Sequence, residues 1–303
     1  MRTLTKIKTL LAIQLLLLLT SYALKAQVDI LNKATVFFEK EQYDSARVYI
    51  DKAAAHDETK EMAYTWYVRG AVYSYFYSKK EKGNKTSPAR AISLESMRKS
   101  IILDKDKEFY EDIVRTMDYL ISSMKNDAAD CMDPLEYETA IELFRKSQEY
   151  FRIINPSQEA YRAREIEFGL ALGSVYQTIV ETVTDSINFT KFHNLAKDIF
   201  MQILVLDPKN ISANFNLGTL FYNQGVKLIK ASEYVDLSEI EELQDKSNSL
   251  FETSLPYMQK AEELDPDRTT TLEGLSGIWF SLNDKAKYNN YQKKLQEIKN
   301  KKK

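Results

Sequence analysis

The sequence predicts an all-α protein made of helix pairs repeated in series, and three observations carry that prediction. Glycine and proline are scarce, at eight and six in 303 residues, which leaves room for long uninterrupted helices and little for a turn-rich β architecture. Asp207-Pro208 is followed ten residues later by Leu217-Gly218, and Ala261, Leu264 and Asp265-Pro266 close a similar unit. Cys131 is the single cysteine, so no internal disulfide staples the fold, and a chain this long can bury a core without one.

The first residues stand apart from this pattern. Arg2, Lys6 and Lys8 precede an apolar run from Leu10 to Leu19, and the small residues Ser21, Ala23 and Ala26 follow. That three-part layout is the layout of a secretory signal peptide. A retained membrane anchor is the rival reading, but the run is short and Gln14 interrupts it, whereas spanning takes about 20 apolar residues. Residues 1–26 are therefore read as a leader, cleaved after Ala23 or Ala26. The expected destination is the periplasm, with secretion as the alternative and no stable membrane anchor after cleavage.

Loss of residues 1–26 removes four of the 42 basic residues and none of the 44 acidic ones, leaving 38 against 44 and a net charge of about −6. No basic face dominates, which argues against nucleic acid as the main ligand. The terminal lysines from Lys299 to Lys303 read as a solvated helix end.

The repeat is clearest between residues 196 and 266. Ala196, Phe200, Ile203 and Pro208 end one unit; Leu217, Gly218 and Phe221 open the next, which closes with Ser254, Met258, Ala261 and Pro266. This pattern resembles the tetratricopeptide (TPR) repeat, a helix-turn-helix unit of about 34 residues. In that family Leu-Gly stands at positions 7 and 8 and an aromatic at 11. Small residues stand at 20 and 27, a bulky one at 24 and Pro at 32. Small side chains let two backbones approach, large ones fill the space between, and proline stops the helix.

The earlier units fit with slips. Ala34, Phe37, Ala46, Ile50 and Ala53 form a first unit, with Glu58 where Pro is usual. Trp66, Gly70 and Tyr73 start a second, completed by Met97 and Ser100. The third is degenerate, with one helix from about Glu108 to Lys125 and another from Pro134 through Ala140 and Phe144. Leu172, Gly173 and Tyr176 open the fourth, while Leu272, Leu275 and Trp279 mark the last. The resemblance implies a right-handed superhelical TPR solenoid of about six antiparallel helix pairs. It would form a single domain over 27–303, with units near 27–60, 61–106, 107–156, 157–210, 211–268 and 269–303.

Three stretches exceed the ideal unit. Lys79 to Ala89, with Gly83, Asn84 and Pro88, reads as an exposed loop, and Asp185 to Lys191 as a polar connection. The largest lies between Gly218 and Ser254. It adds 24 residues, and helical apolar spacing from Val226 to Leu250 predicts lengthened helices joined near Glu233 to Ser238. Such an extension would widen a groove or supply a dimer contact, which leaves room for a homo-oligomer.

Catalytic signatures are missing: the chain contains no HExxH, CxxC, GxSxG or P-loop sequence, and His56 and His193, its two histidines, lie far apart. No catalytic residue, metal ligand or cofactor is assigned. Glu262-Glu263 and the trio Glu239, Glu241 and Glu242 read as solvated helix faces. Asp133 reads as a helix cap beside Cys131 rather than as a partner to a reactive thiol.

The aromatics point to recognition instead. Most of the 19 tyrosines are expected between helices. The TPR resemblance, however, places positions 2, 5, 9, 12 and 13 of each first helix on the concave face. In the second unit these are Tyr64, Tyr67, Ala71, Ser74 and Tyr75; in the fifth, Ser212, Phe215, Thr219, Tyr222 and Asn223. Amphipathic rings on a rigid surface suit peptide or helix capture. Phe215 and Thr219 occupy two places where some TPR domains hold a terminal carboxylate, so that clamp is not matched. The expected function is a non-enzymatic scaffold in the cell envelope that holds a protein or peptide partner through Tyr64, Tyr67, Tyr75, Phe215, Thr219 and Tyr222. The alternative is a peptide- or glycan-binding module.

Overall fold

The computed structural model describes residues 29–231 and 236–301. The leader read from residues 1–26, both of its cleavage sites, and residues 232–235 of the longest connection lie outside the described residues. The described residues form twelve helices and no strand. In chain order they are α1 (residues 29–39), α2 (Tyr43–Ala55), α3 (Ala63–Phe76), α4 (Pro88–Leu103), α5 (Tyr110–Asp130) and α6 (Tyr137–Ile154). They continue with α7 (Gln158–Thr182), α8 (Ser186–Leu206), α9 (Ile211–Ala231), α10 (Leu237–Leu264), α11 (Thr269–Ser281) and α12 (Lys285–Lys301). The architecture is all-α, a series of TPR-like helix pairs. It falls into two compact units: residues to Asp130 with Thr139–Pro156, and Cys131–Glu138 with Ser157 onward.

In the first unit the fit of α3 on α4 explains why glycine stands at position 8. A Cβ added at Gly70 would lie 2.7 Å from Met97 Cε, inside van der Waals contact. Hydrogen there lets the fully buried Met97 fill the space. One turn away, Ser93 Oγ donates to the Gly70 carbonyl at 2.7 Å, and Ser100 Oγ donates to Ala63 O at 2.8 Å. These pairings run in opposite directions along the two helices, so the pair is antiparallel. Ala34, Ala46, Ile50 and Ala53 are all buried, as the repeat requires.

Arg90 fastens this unit from within. It is 3% exposed and its guanidinium donates to Asp127 Oδ2 at 2.5 Å, Ser123 Oγ at 3.2 Å and the Lys85 carbonyl at 2.7 Å. A buried charge needs this degree of pairing to be tolerated. The result ties α4 to α5 and to the turn before α4.

The second unit repeats the same device twice more. At Gly173 an added Cβ would meet the Phe200 ring at 2.5 Å, and at Gly218 it would meet Met258 Cγ at 2.7 Å. Ser254 Oγ donates to Gly218 O at 2.7 Å, matching the Ser93–Gly70 bond. Part of the 24-residue excess proves to be an added heptad of the same packing on each helix. Gly225 lies seven residues after Gly218, Ser247 seven before Ser254, and Ser247 Oγ donates to Gly225 O at 2.8 Å. The Phe251 ring lies where a Cβ on Gly225 would need space, at 2.7 Å. A seven-residue step returns each helix to nearly the same face, so α9 and α10 extend together without changing partners.

Helix starts follow local polar chemistry. Ser87, Ser157 and Asp185 accept from the N–H groups of Arg90, Ala160 and Asn188, satisfying donors that a helix leaves unpaired. Asp133 Oδ1 accepts from Leu135 N at 2.7 Å and Glu136 N at 3.2 Å. It therefore acts as the cap expected, although regular α6 begins only at Tyr137. Cys131 is buried and has no disulfide partner.

Three sequence expectations are corrected. The Lys79–Ala89 stretch is only partly loop: Tyr77–Glu81 continues α3 as a π-helical turn, and Ala89 is buried within α4. Asp185–Lys191 is the cap and opening of α8 rather than a connection, because the Asp185 carboxylate supplies the partner that starts a helix there. Glu262 is not a solvated face residue. Tyr291 Oη and Lys294 Nζ donate to its carboxylate at 2.8 and 2.7 Å, joining α10 to α12.

Candidate functional site

The residues expected on an inner surface fall into two groups, each within its own unit. On α3, Tyr64 and Tyr67 are both half-buried. The Tyr67 ring stacks on Phe109, just before α5, with centroids 5.0 Å apart and planes at 16°. The Tyr64 ring lies 5.4 Å from the same Phe109. Tyr64 Oη donates to Thr35 Oγ1 on α1 at 3.4 Å, and Tyr67 Oη to Asp112 Oδ2 on α5 at 3.4 Å. The two rings therefore link the first helices of three successive pairs. Burial, then the Asp112 charge, raises the Tyr67 phenol above its ordinary pKa.

Tyr75 lies two turns further along α3 and is not brought to this cluster. It stacks on Tyr43 of α2, with centroids 3.3 Å apart and planes at 13°. Tyr73, two residues before it, donates to Asp51 Oδ2 at 2.6 Å, and burial followed by that hydrogen bond pushes its pKa up to about 12.

On α9, Phe215 and Tyr222 are half-buried against a cluster built on Phe251, Met258, Leu272 and Leu275. The Arg268 guanidinium lies 4.3 Å from the Phe215 ring centroid, close enough for a cation–π contact. Tyr222 lies 5.6 Å from the Phe251 ring, and its hydroxyl would be 2.7 Å from a Cβ at Gly277. Glycine in α11 is what admits the ring. Thr219 Oγ1 is buried without a hydrogen-bond partner. The rings at these positions thus help hold neighbouring helices together and are left only partly exposed.

Sequence reasoning passed over a different feature of the second unit. A cleft of about 380 Å³ opens between α7, α8 and α9, lined by Gln177, Val180, Phe189, His193, Leu220 and Lys227 among others. Only one signal in the sequence pointed there: a histidine on the apolar face of α8, with Phe189 one turn before it. No helix among the described residues is long and apolar enough to cross a membrane. No group of three or more potential metal ligands occurs among the described residues.

No protein-family profile matches the sequence, and no curated protein matches it at a significant level. Solved structures with related folds include the MamA protein, at 15% identity and a TM-score of 0.37 over 77% of this chain and 93% of that one. IFIT1 in complex with Gppp-AAAA shares 10% identity at a TM-score of 0.39, over 87% of this chain and 58% of that one. PilW, a type IV pilus biogenesis factor, shares 13% identity at a TM-score of 0.31, over 90% and 93% of the two chains. At such low scores none of their functions transfers to this chain.

Proposed function

We propose that the protein is a non-enzymatic interaction scaffold that holds a segment of a protein partner against the inner helices of its repeats. One observation carries this reading: α3 and α9 each present half-buried aromatic residues already fixed by packing, Tyr64 and Tyr67 in one case and Phe215 and Tyr222 in the other, with Tyr67 and Phe215 at the same repeat position. A ring that is immobile before binding loses little entropy on contact, which favours recognition by these side chains. Thr219 lies between Phe215 and Tyr222, while Tyr75, further along α3, stands outside the first pair. The leader-like residues 1–26 support placing the scaffold in a bacterial cell envelope.

The test is recovery of partners from envelope extract by residues 27–303 carrying an affinity tag. The Tyr67→Ser, Tyr222→Ser double variant is expected to lose the proteins recovered by the parent. A second variant, Ser74→Arg, adds bulk to the same face of α3 without removing a packed ring and is expected to lose them too. Unchanged recovery by both, with an unchanged circular dichroism melt, overturns the assignment. Saturable binding of a glycan or short peptide, with no protein recovered, would instead favour a small-ligand module.

A further inference from the structure

We propose that the cleft between α7, α8 and α9 is a binding site for a carboxylate borne on a compact apolar group. It is separate from the inner aromatic positions and does not depend on the scaffold reading.

His193 forms the floor. It is 6% exposed, yet its Nε2 has no hydrogen-bond partner. Leaving a buried polar atom unpaired is costly, and such atoms are rare in folded proteins. The imidazole is held in place by stacking on Phe189, at 5.8 Å and 24°, and by the edge of Phe221 at 6.3 Å. Burial, then the nearby Lys197 charge, keeps its pKa below the ordinary value, so at neutral pH the ring is uncharged and offers Nε2 as one directed hydrogen-bonding group.

Charge at the mouth selects the ligand's sign. Lys227 and Lys230 lie one turn apart on exposed α9 positions and line the cleft, with Glu181 of α7 also on its wall. Among the described residues neither lysine has a carboxylate within ion-pair distance, and Lys227 Nζ lies 3.7 Å from the Phe189 ring centroid. Two cations against one anion favour an acid over an amine. Val180, Leu220 and Val226 supply the apolar wall. A volume of about 380 Å³ lies at the small end of the range for ligand pockets, which suits a branched aliphatic group better than a long chain. A neutral imidazole and apolar walls also suit a singly charged carboxylate better than a doubly charged phosphate.

Such a group could come from a free short-chain acid or from the terminal residue of a peptide. Histidine NMR on the full chain separates the two, because His56 and His193 are its only histidines and His56→Gln assigns the spectrum. The probes are 3-methylbutanoate, N-acetyl-leucine and the amide of each. Both acids are expected to move the His193 resonances, leave those of His56 in place and saturate at about millimolar concentration. The amides are expected to bind roughly tenfold more weakly, and Lys227→Met with Lys230→Met should weaken acid binding by roughly tenfold with the fold intact. Tighter binding of N-acetyl-leucine identifies a peptide terminus as the source; tighter binding of 3-methylbutanoate identifies a free acid. Equal response to acids and amides, or no movement of His193 at about 10 mM acid, overturns the proposal.

Discussion

The α3–α4 pair and the α9–α10 pair solve the same packing problem with the same three residues, and then diverge in what surrounds them. In both, glycine on the first helix admits a methionine from the second, and a serine one turn before that methionine bonds the glycine carbonyl. Around α3–α4 the supporting contacts are ionic and phenolic: Arg90–Asp127, Arg69–Asp51 and Tyr73–Asp51. Around α9–α10 they are mainly apolar, with the Gly225–Phe251 repeat of the device and the cluster from Phe251 to Ile298, and the polar contact of Glu262 with Tyr291 and Lys294 lies at the end of α10. A shared register therefore does not imply shared energetics. The first pair should answer to loss of charge partners, the second to changes in volume.

The largest expected effect tests the ionic side. Arg90→Ala leaves Asp127 buried without its guanidinium partner and is expected to cost about 3–5 kcal/mol, read as a lowered urea midpoint. Arg69→Ala, at a pair whose Asp51 side chain is 40% exposed, should cost about 1 kcal/mol or less. Equal losses would show that burial is not what distinguishes the two ion pairs.

Next come the glycines. Overpacking costs about 1–3 kcal/mol, while Ala gains about 1 kcal/mol over Gly in a helix. At Gly70 the three nearest atoms to a new Cβ all belong to the Met97 side chain, whereas at Gly218 the backbone nitrogen of Met258 also lies 3.3 Å away. A side chain can rotate aside and a backbone cannot. Gly218→Ala is therefore expected to lose about 1–2 kcal/mol and Gly70→Ala to stay within about 1 kcal/mol of the parent. Thermal melts of the two variants decide it.

Acid and alkali should then probe two buried groups, His193 and Tyr73. Tyr73, with its folded pKa raised to about 12, contributes stability that is complete below its unfolded pKa near about 10. That contribution is lost as pH climbs from there through about 12, amounting to at most about 3 kcal/mol. Tyr73→Phe should flatten the alkaline decline. His193 works in the opposite direction. Its folded pKa is depressed, so its contribution is intact above about pH 6.5 and is lost as pH falls below that value. His193→Gln should flatten the acidic decline, and urea midpoints across pH measure both.

The smallest effect concerns Pro256, which interrupts α10 at an exposed position. Proline removes a helix hydrogen bond but also limits the unfolded chain. Pro256→Ala is expected to stabilise by about 1 kcal/mol, and no gain would mean that local packing already accommodates the ring.

Much of the register was readable in advance because small and large residues repeat at fixed intervals. Ala196, Phe200 and Ile203, and Ser254, Met258 and Ala261, are all buried where the repeat phase requires. The lengthening of α9 and α10 was readable for the same reason. Its mechanism was not, since Gly225 becomes legible as a second hole only once Ser247 and Phe251 are opposite it. Nor was the extent of the Tyr77–Glu81 turn, where lysines and a nearby glycine resemble loop chemistry but the backbone continues as a helix.

What the sequence by itself determined was which residues must be small and which large, because helix periodicity alone fixes the face on which each lies. Only the tertiary structure decided which rings share a neighbour, that Arg90 meets Asp127 37 residues away, and that His193 closes a cleft with an unpaired nitrogen. Those contacts join separate helices, and their distances depend on how the helices pack, which periodicity along one helix does not encode.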